Sequence, residues 1–115
     1  EVPTVRTPLY VRDNIHVNLL AAAYASYAEK LTSQPGISKL SPSFYVESQG
    51  TFANRFASEM SSRLGVPCPI GLLQQEDFSE PMVRINTDRI DGVALNWNES
   101  SAWDAEADYY IQAAK

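Results

Sequence analysis

Phe52, Phe56, Met60 and Leu64 stand four residues apart and are followed at once by Gly65 and then by Pro67. No other feature of the chain constrains its fold as tightly. Large apolar side chains repeated every four residues line one face of an α-helix. Glycine readily takes the left-handed conformation that closes a helix, and a proline just beyond cannot continue it. The helix is expected to start near Ser48 or Thr51, and its apolar stripe must be buried against other parts of the chain.

The flanking patterns supply candidates for that burial. Residues 4 to 17 are expected to be extended: Pro3 and Pro8 disfavour helix, and Leu9, Val11, Ile15 and Val17 fall at the even spacing of a strand. Asn18 is expected to cap a helix from Leu19 to about Leu31 with the stripe Leu20, Tyr24, Tyr27 and Leu31, and Ser33-Gln34-Pro35-Gly36 to break it. Ile37, Leu40, Phe44 and Tyr45 form a short extended stretch interrupted by Pro42. Pro69 to Leu73 and Met82 to Ile85 have strand character, with a polar, acidic, exposed loop over Gln74 to Glu80. Thr87 or Asp88 is expected to cap a short turn ending at Gly92. Ser101 with Asp104 has the spacing of a capping box and opens a last helix. That helix carries Trp103, Ala107, Tyr110 and Ala114 on one face, with Asp104 and Glu106 near its positive end. The aromatic residues of the stripes, Tyr24, Tyr27, Phe52, Phe56, Trp103 and Tyr110, are expected in the core. Strand and helix alternate without repeats or linkers, which gives a single α/β domain over residues 1–115: a small mixed sheet with about three main helices.

Composition narrows the function classes. A chain of 115 residues can bury roughly 65% of its unfolded surface. A net charge of −5 and an isoelectric point near 4.7 argue against nucleic acid as partner, because phosphate neutralisation needs clustered cations. The longest apolar run, in Leu19 to Tyr24, is too short to span a membrane, and the first residues hold no hydrophobic signal core. A single cysteine excludes an internal disulfide and suits the cytoplasm. Cys68 has no basic neighbour to activate it, one histidine and one cysteine are too few for a zinc site, and Glu76, Asp77 and Glu80 lack metal-ligand spacing.

The stretch Val11-Arg12-Asp13-Asn14-Ile15-His16-Val17-Asn18-Leu19-Leu20-Ala21 carries the remaining chemistry. It resembles the segment with which extended short-chain dehydrogenase/reductases, the NAD-dependent nucleotide-sugar epimerases and dehydratases, begin their smaller, substrate-binding part. The likeness continues in order. Ser48 to Gly65 resembles a serine-capped helix ending in Leu-Gly; Asn86-Thr87-Asp88-Arg89 and Leu95-Asn96-Trp97 resemble an Asp-x-Ser-Lys…Leu-Gly-Trp element; Trp103 to Tyr110 resembles the closing helix. Together they cover roughly residues 9 to 112. Three positions depart from the family. Leu19 replaces an acidic residue, Asn96 replaces a glycine, and Arg84 lies several residues later than the family's second diphosphate arginine.

The resemblance implies the C-terminal portion of a Rossmann-type enzyme, a substrate-binding domain that grips the nucleotide diphosphate and orients the sugar. It assigns a substrate contact to Arg12; Asn14, two residues on along the same side of an extended chain, and Arg84, the nearest candidate for the unmatched second arginine, are the further candidate contacts. The guanidinium of Arg12 suits phosphate oxygens, against an ion pair with Asp13 or a nearby acid. Asn14 contacts nucleotide or caps a turn, and Arg84 contacts phosphate or is a surface cation at a strand edge. His16 reads better as a buried histidine donating to a backbone carbonyl than as an acid or base, since no nucleophile or second base lies near it in sequence. The glycines, at 36, 50, 65, 71 and 92, are too scattered for a dinucleotide fingerprint. The family's Tyr-x-x-x-Lys pair is absent too, Tyr27-Ala28-Glu29-Lys30 being one spacer short. The expectation is therefore a chain with no catalytic, cofactor-binding or metal-binding residue of its own. Its partners would be a nucleotide sugar and the N-terminal Rossmann half of the same polypeptide, with NAD held in the full-length enzyme. The competing reading is a non-catalytic interaction module that keeps the fold and binds a protein or a second copy of itself as a homodimer.

Overall fold

The stripe from Phe52 to Leu64 organises the computed structural model, which describes residues 2–34, 36 and 39–114. It forms helix α2 (Gln49–Leu64). Ser48 caps it, its Oγ accepting from Thr51 N at 3.1 Å, and Gly65 closes it at φ 70° with its N–H donating to Ser61 O. Met60 is buried, and Phe52, Phe56 and Leu64 pack with it against Tyr45, Trp103 and Ala107. These side chains form the central cluster of the core, to which Tyr10, Leu19, Ala23 and Ala102 add further buried residues.

Trp103 and Ala107 come from α3 (Glu99–Ala113). This helix starts before the expected capping box. Asn98 Oδ1 accepts from Ser101 N at 2.8 Å, so Ser101 sits inside the first turn. Glu99 is the acid of that turn; Asp104 and Glu106 lie beyond it, where the helix dipole has faded. The earlier start also turns the face. Ala102, Trp103 and Ala107 are buried, whereas Tyr110 is exposed and Ala114 lies past the last turn.

Helix α1 (Val17–Ser33) is likewise shifted. Its N-cap position is His16, which makes no side-chain capping bond, and Asn18 is inside the helix because its Oδ1 accepts from Trp97 Nε1 at 3.0 Å. The buried pair is Leu19 and Ala23; Leu20, Tyr27 and Leu31 are half-buried, and Tyr24 is exposed. Pro35 and Ile37, placed in a helix break and an extended stretch by the sequence, lie outside the described residues.

Among the described residues the extended segments form three two-stranded ladders in place of one mixed sheet. β1 (Thr4–Val5) runs parallel to β5 (Gly71–Leu72), with Thr4 opposite Gly71. β2 (Val11–Asn14) pairs antiparallel with β4 (Tyr45–Ser48), from Val11 opposite Ser48 to Asn14 opposite Tyr45. β3 (Pro42–Ser43) runs parallel to β6 (Asp88–Arg89). The expected strand over residues 4 to 17 is interrupted because the backbone around Pro8 to Tyr10 serves the start of α2. Gln49 N donates to Tyr10 O at 2.8 Å and Gly50 N to Pro8 O at 3.0 Å. A Cβ at position 50 would lie 3.0 Å from Pro8 Cβ and 3.3 Å from its carbonyl oxygen, a tight fit that glycine avoids. The buried residues of this stretch are Pro8, Tyr10 and His16, while Leu9 and Val17 are exposed.

Other segments depart as well. Met82 to Ile85 makes only one bridge, Val83 with Val11, and its apolar side chains are exposed. Pro42 lies within β3 and does not interrupt it, and Asp88 lies in β6 and does not cap a turn. Gly92 precedes a single 3₁₀ turn, Val93–Leu95, closed by Asn96 at φ 57°, a conformation asparagine tolerates. Gln75, in the loop expected to be exposed, is buried and accepts from Leu9 N at 2.8 Å. Three helices with small sheets make the chain α/β. Its principal extents are 53 × 38 × 22 Å, and its Cα radius of gyration is 16.8 Å, against about 13 Å for a compact chain of this length. The molecule is a thin slab. No helix among the described residues is long and apolar enough to cross a membrane.

Candidate functional site

Arg12 occupies the second position of β2, opposite Glu47. Its guanidinium carbon lies 4.5 Å from the centroid of the Tyr10 ring, and Nη1 donates to Val11 O at 2.8 Å and Met82 O at 3.4 Å. These contacts hold the side chain, which is 17% exposed, with Nη2 at 4.0 Å from Glu80 Oε1. Arg84 reaches the same oxygen, its Nη1 at 3.3 Å. The fold brings the two arginines together through the local pairing of Val11 with Val83. Val11 N donates to Met82 O at 2.7 Å and Arg84 N to Val11 O at 3.0 Å. Tyr10, essentially fully buried, sets the other side: its hydroxyl accepts from Glu80 N at 3.0 Å.

Arg12 therefore faces Glu80 and not its neighbour Asp13. Asp13 is committed elsewhere, Oδ1 accepting from Phe44 N at 2.8 Å and Oδ2 from Asn86 N at 3.0 Å. That carboxylate staples the junction of β3 and β4 to the segment leading into β6. Asn14, at the end of β2, lies away from the arginine pair. It lines a cleft of about 210 Å³ with His16, Tyr45, Phe52 and Trp103, to which neither arginine contributes.

His16 stands at the centre of a second cluster. It is buried, and its ring meets Tyr45, Trp97 and Trp103 at centroid distances of 5.5, 5.4 and 4.5 Å. Its Nε2 lies 3.2 Å from the Tyr45 hydroxyl, and Trp103 Nε1 lies 3.2 Å from the same hydroxyl. The Tyr45 hydroxyl also contacts Glu99 Oε2. Hydrogen-bond capacity decides the proton positions. Indole N–H only donates, the Glu99 carboxylate only accepts, and a phenol has one proton and two lone pairs. Tyr45 thus donates to Glu99 and accepts from Trp103, and His16 must donate through Nε2. The lone pair of His16 is then on Nδ1, 3.9 Å from Glu106 Oε1. Burial holds the imidazole pKa below its ordinary value, opposed by the charges of Glu106, Glu99 and Glu59. Burial first, then the bond to Glu99, pushes the Tyr45 hydroxyl well above the usual phenol range. Neutral imidazole and protonated phenol make this a structural network. The partner of His16 is a side-chain hydroxyl where the sequence had suggested a backbone carbonyl.

Sequence reasoning missed Tyr10, Glu80, Tyr45 and Glu99 as members of these clusters. Glu80 read as one acid of a solvated loop, and Tyr45 as an ordinary strand residue. No local pattern signalled the pairing of Glu80 with Arg84, since a spacing of four brings side chains together only on a helix. Among the described residues no three His, Cys, Asp or Glu side chains gather as metal ligands. Nor do those residues fit a dinucleotide. Neither strand-to-helix junction, Ile15-His16 or Ser48-Gln49, carries a glycine turn, and the space beside Gly50 is filled by Pro8. Comparison with models of known protein families, with curated proteins and with solved structures gave no match.

Proposed function

We propose that this chain is the substrate-binding domain of an NAD-dependent nucleotide-sugar epimerase or dehydratase of the extended short-chain dehydrogenase/reductase type, a cytoplasmic enzyme. Arg12 and Arg84 hold the nucleotide diphosphate, and Asn14 supplies the next contact along β2. The observation that carries this reading is the convergence of two guanidinium groups on one carboxylate oxygen. Two guanidinium nitrogens, Arg12 Nη2 and Arg84 Nη1, brought to one point suit the oxygens of linked phosphoryl groups. Arg12 is held by Tyr10 and two carbonyls before any ligand arrives, which lowers the ordering cost of binding. The domain's work is to bind and orient; the redox chemistry lies outside this chain.

Calorimetry of the full-length protein with UDP-, GDP-, CDP- and dTDP-sugars tests the reading. Each charge-assisted contact contributes about 1.5–3 kcal/mol, so Arg12→Ala or Arg84→Ala is expected to weaken binding roughly 10- to 100-fold. Unchanged binding in both variants refutes it.

A second reading, an interaction or self-association module, is favoured by the exposed apolar side chains near the end of α3. Tyr109, Tyr110 and Ile111 are exposed there, and Tyr109 and Tyr110 share a cleft of about 330 Å³ with Val17, itself 77% exposed. Contiguous apolar surface of this kind marks association sites. Light scattering across a concentration series separates the readings, since a strict monomer that binds nucleotide diphosphates excludes the second.

A further inference from the structure

The oxygen on which Arg12 and Arg84 converge belongs to the protein itself. Glu80 Oε1 stands 4.0 Å from Arg12 Nη2 and 3.3 Å from Arg84 Nη1. The position is prepared: Glu80 N–H donates to the buried Tyr10 hydroxyl, whose ring also carries the Arg12 guanidinium, and Pro81 follows directly. The carboxylate end is free to leave. The Glu80 side chain is 53% exposed, and only its backbone is tied to Tyr10, so rotation about its side-chain bonds moves the charge into solvent without moving the chain.

We infer that Glu80 is an internal counter-ion occupying the anion site between Arg12 and Arg84, and that a phosphoryl ligand binds by displacing it. This rests on reading the arginine pair as that site. With Glu80 in place its carboxylate fills the space between the two guanidinium groups and the competent state is a minority, so apparent affinity falls by the competent fraction. The two pairs are long and partly exposed, in the range where ion pairs are weak, and this places the penalty at roughly threefold to tenfold. The penalty is the work of parting Glu80 from the arginines. It is therefore the same for every anion that fills the site, however many charges that anion bears. A general repulsion from one nearby carboxylate behaves differently, because it grows with ligand charge.

Titration calorimetry of the full-length protein with inorganic phosphate and with pyrophosphate, at about 0.15 M salt to screen long-range charge, tests the inference. The proteins compared are wild type, Glu80→Gln and the Arg12→Ala/Arg84→Ala double variant. Glu80→Gln is expected to tighten both ligands by one common factor, about three- to tenfold, and to lower the unliganded protein's stability in urea by no more than that factor converted, about 0.7–1.4 kcal/mol, while the double variant loses binding. Binding detected only in Glu80→Gln also supports it. Equal affinities of wild type and Glu80→Gln, with binding lost in the double variant, overturn the counter-ion role and leave the arginine site standing. A much larger gain for pyrophosphate than for phosphate overturns it in favour of general repulsion. Double-variant binding equal to wild type, or no binding by either wild type or Glu80→Gln, overturns both readings.

Discussion

Replacing Tyr45 with phenylalanine removes one oxygen and leaves the ring, so it isolates the hydrogen-bond network from the packing around it. Tyr45 is 8% exposed and its ring sits against Phe44, Phe52 and Trp103, contacts that phenylalanine retains. The lost hydroxyl strands two buried donors, Trp103 Nε1 and His16 Nε2, on residues only 2% and 5% exposed. A buried donor left without a partner costs about 1–3 kcal/mol. Glu99 is exposed and regains water, so it adds little. The expected loss is about 2–6 kcal/mol, a large part of the stability of a domain this size. Urea denaturation followed by tryptophan fluorescence reads it directly, as a shift in midpoint at unchanged slope. The control is a double-mutant cycle with Trp103→Phe. Once the indole N–H is gone, Tyr45→Phe no longer strands it, so the two losses should sum to more than the double variant's by at least about 1 kcal/mol. A Tyr45→Phe loss below about 0.5 kcal/mol, or strict additivity in the cycle, would refute the assignment of donors and acceptors.

Three further outcomes are expected. Met60→Ala, in the centre of the core, should lose about 2–5 kcal/mol in urea, whereas Tyr24→Ala, on the exposed side of α1, should lose less than about 1 kcal/mol. Because the folded-state pKa of His16 is lowered, the unfolded chain takes up the proton first, near pH 6.5. Stability is then full above that pH and falls on acidification, by at most about 1.4 kcal/mol per pH unit from this group. Urea midpoints between pH 7.5 and 5.5 should show the fall in wild type, and a His16→Gln profile with the same slope would remove His16 as its source. Gly92→Ala should destabilise by about 1–3 kcal/mol. The backbone there, at φ −63°, accepts any residue, but an added methyl would run into the Trp97 ring, and a thermal melt at wild-type temperature would contradict this.

What the sequence revealed depended on how local the determining interactions were. Helix α2 was legible throughout because its stripe, its Ser48 cap and its Gly65 stop are all encoded within or beside it. The starts of α1 and α3 were misplaced because cap-forming side chains competed. Asn18 is drawn to Trp97, 79 residues away, and Asn98 takes the N–H of Ser101. Four of the six strands have two residues and carry no periodicity, so separate ladders could not be told from one sheet. At the candidate site, Arg12 stood out from its segment, but its meeting with Arg84 depends on a bridge between Val11 and Val83. The network of His16, Tyr45 and Trp103 has the same origin: its members span 29 and 58 residues, and no local pattern announces such contacts.

The ladders have a consequence for how the chain folds. Two of them join distant segments through two residue pairs only, Thr4–Val5 with Gly71–Leu72 and Pro42–Ser43 with Asp88–Arg89, whereas β2 and β4 pair over four. Closing a loop costs entropy before its contacts form, and a two-residue ladder returns little at the moment of closure. The helices, and the packing of α2 on α3, must therefore come early and hold the segments near one another. The ladder of β1 and β5, which spans the longest loop of the three, closes late and opens first, so the seam between residues 4–5 and 71–72 is where the native slab begins to come apart.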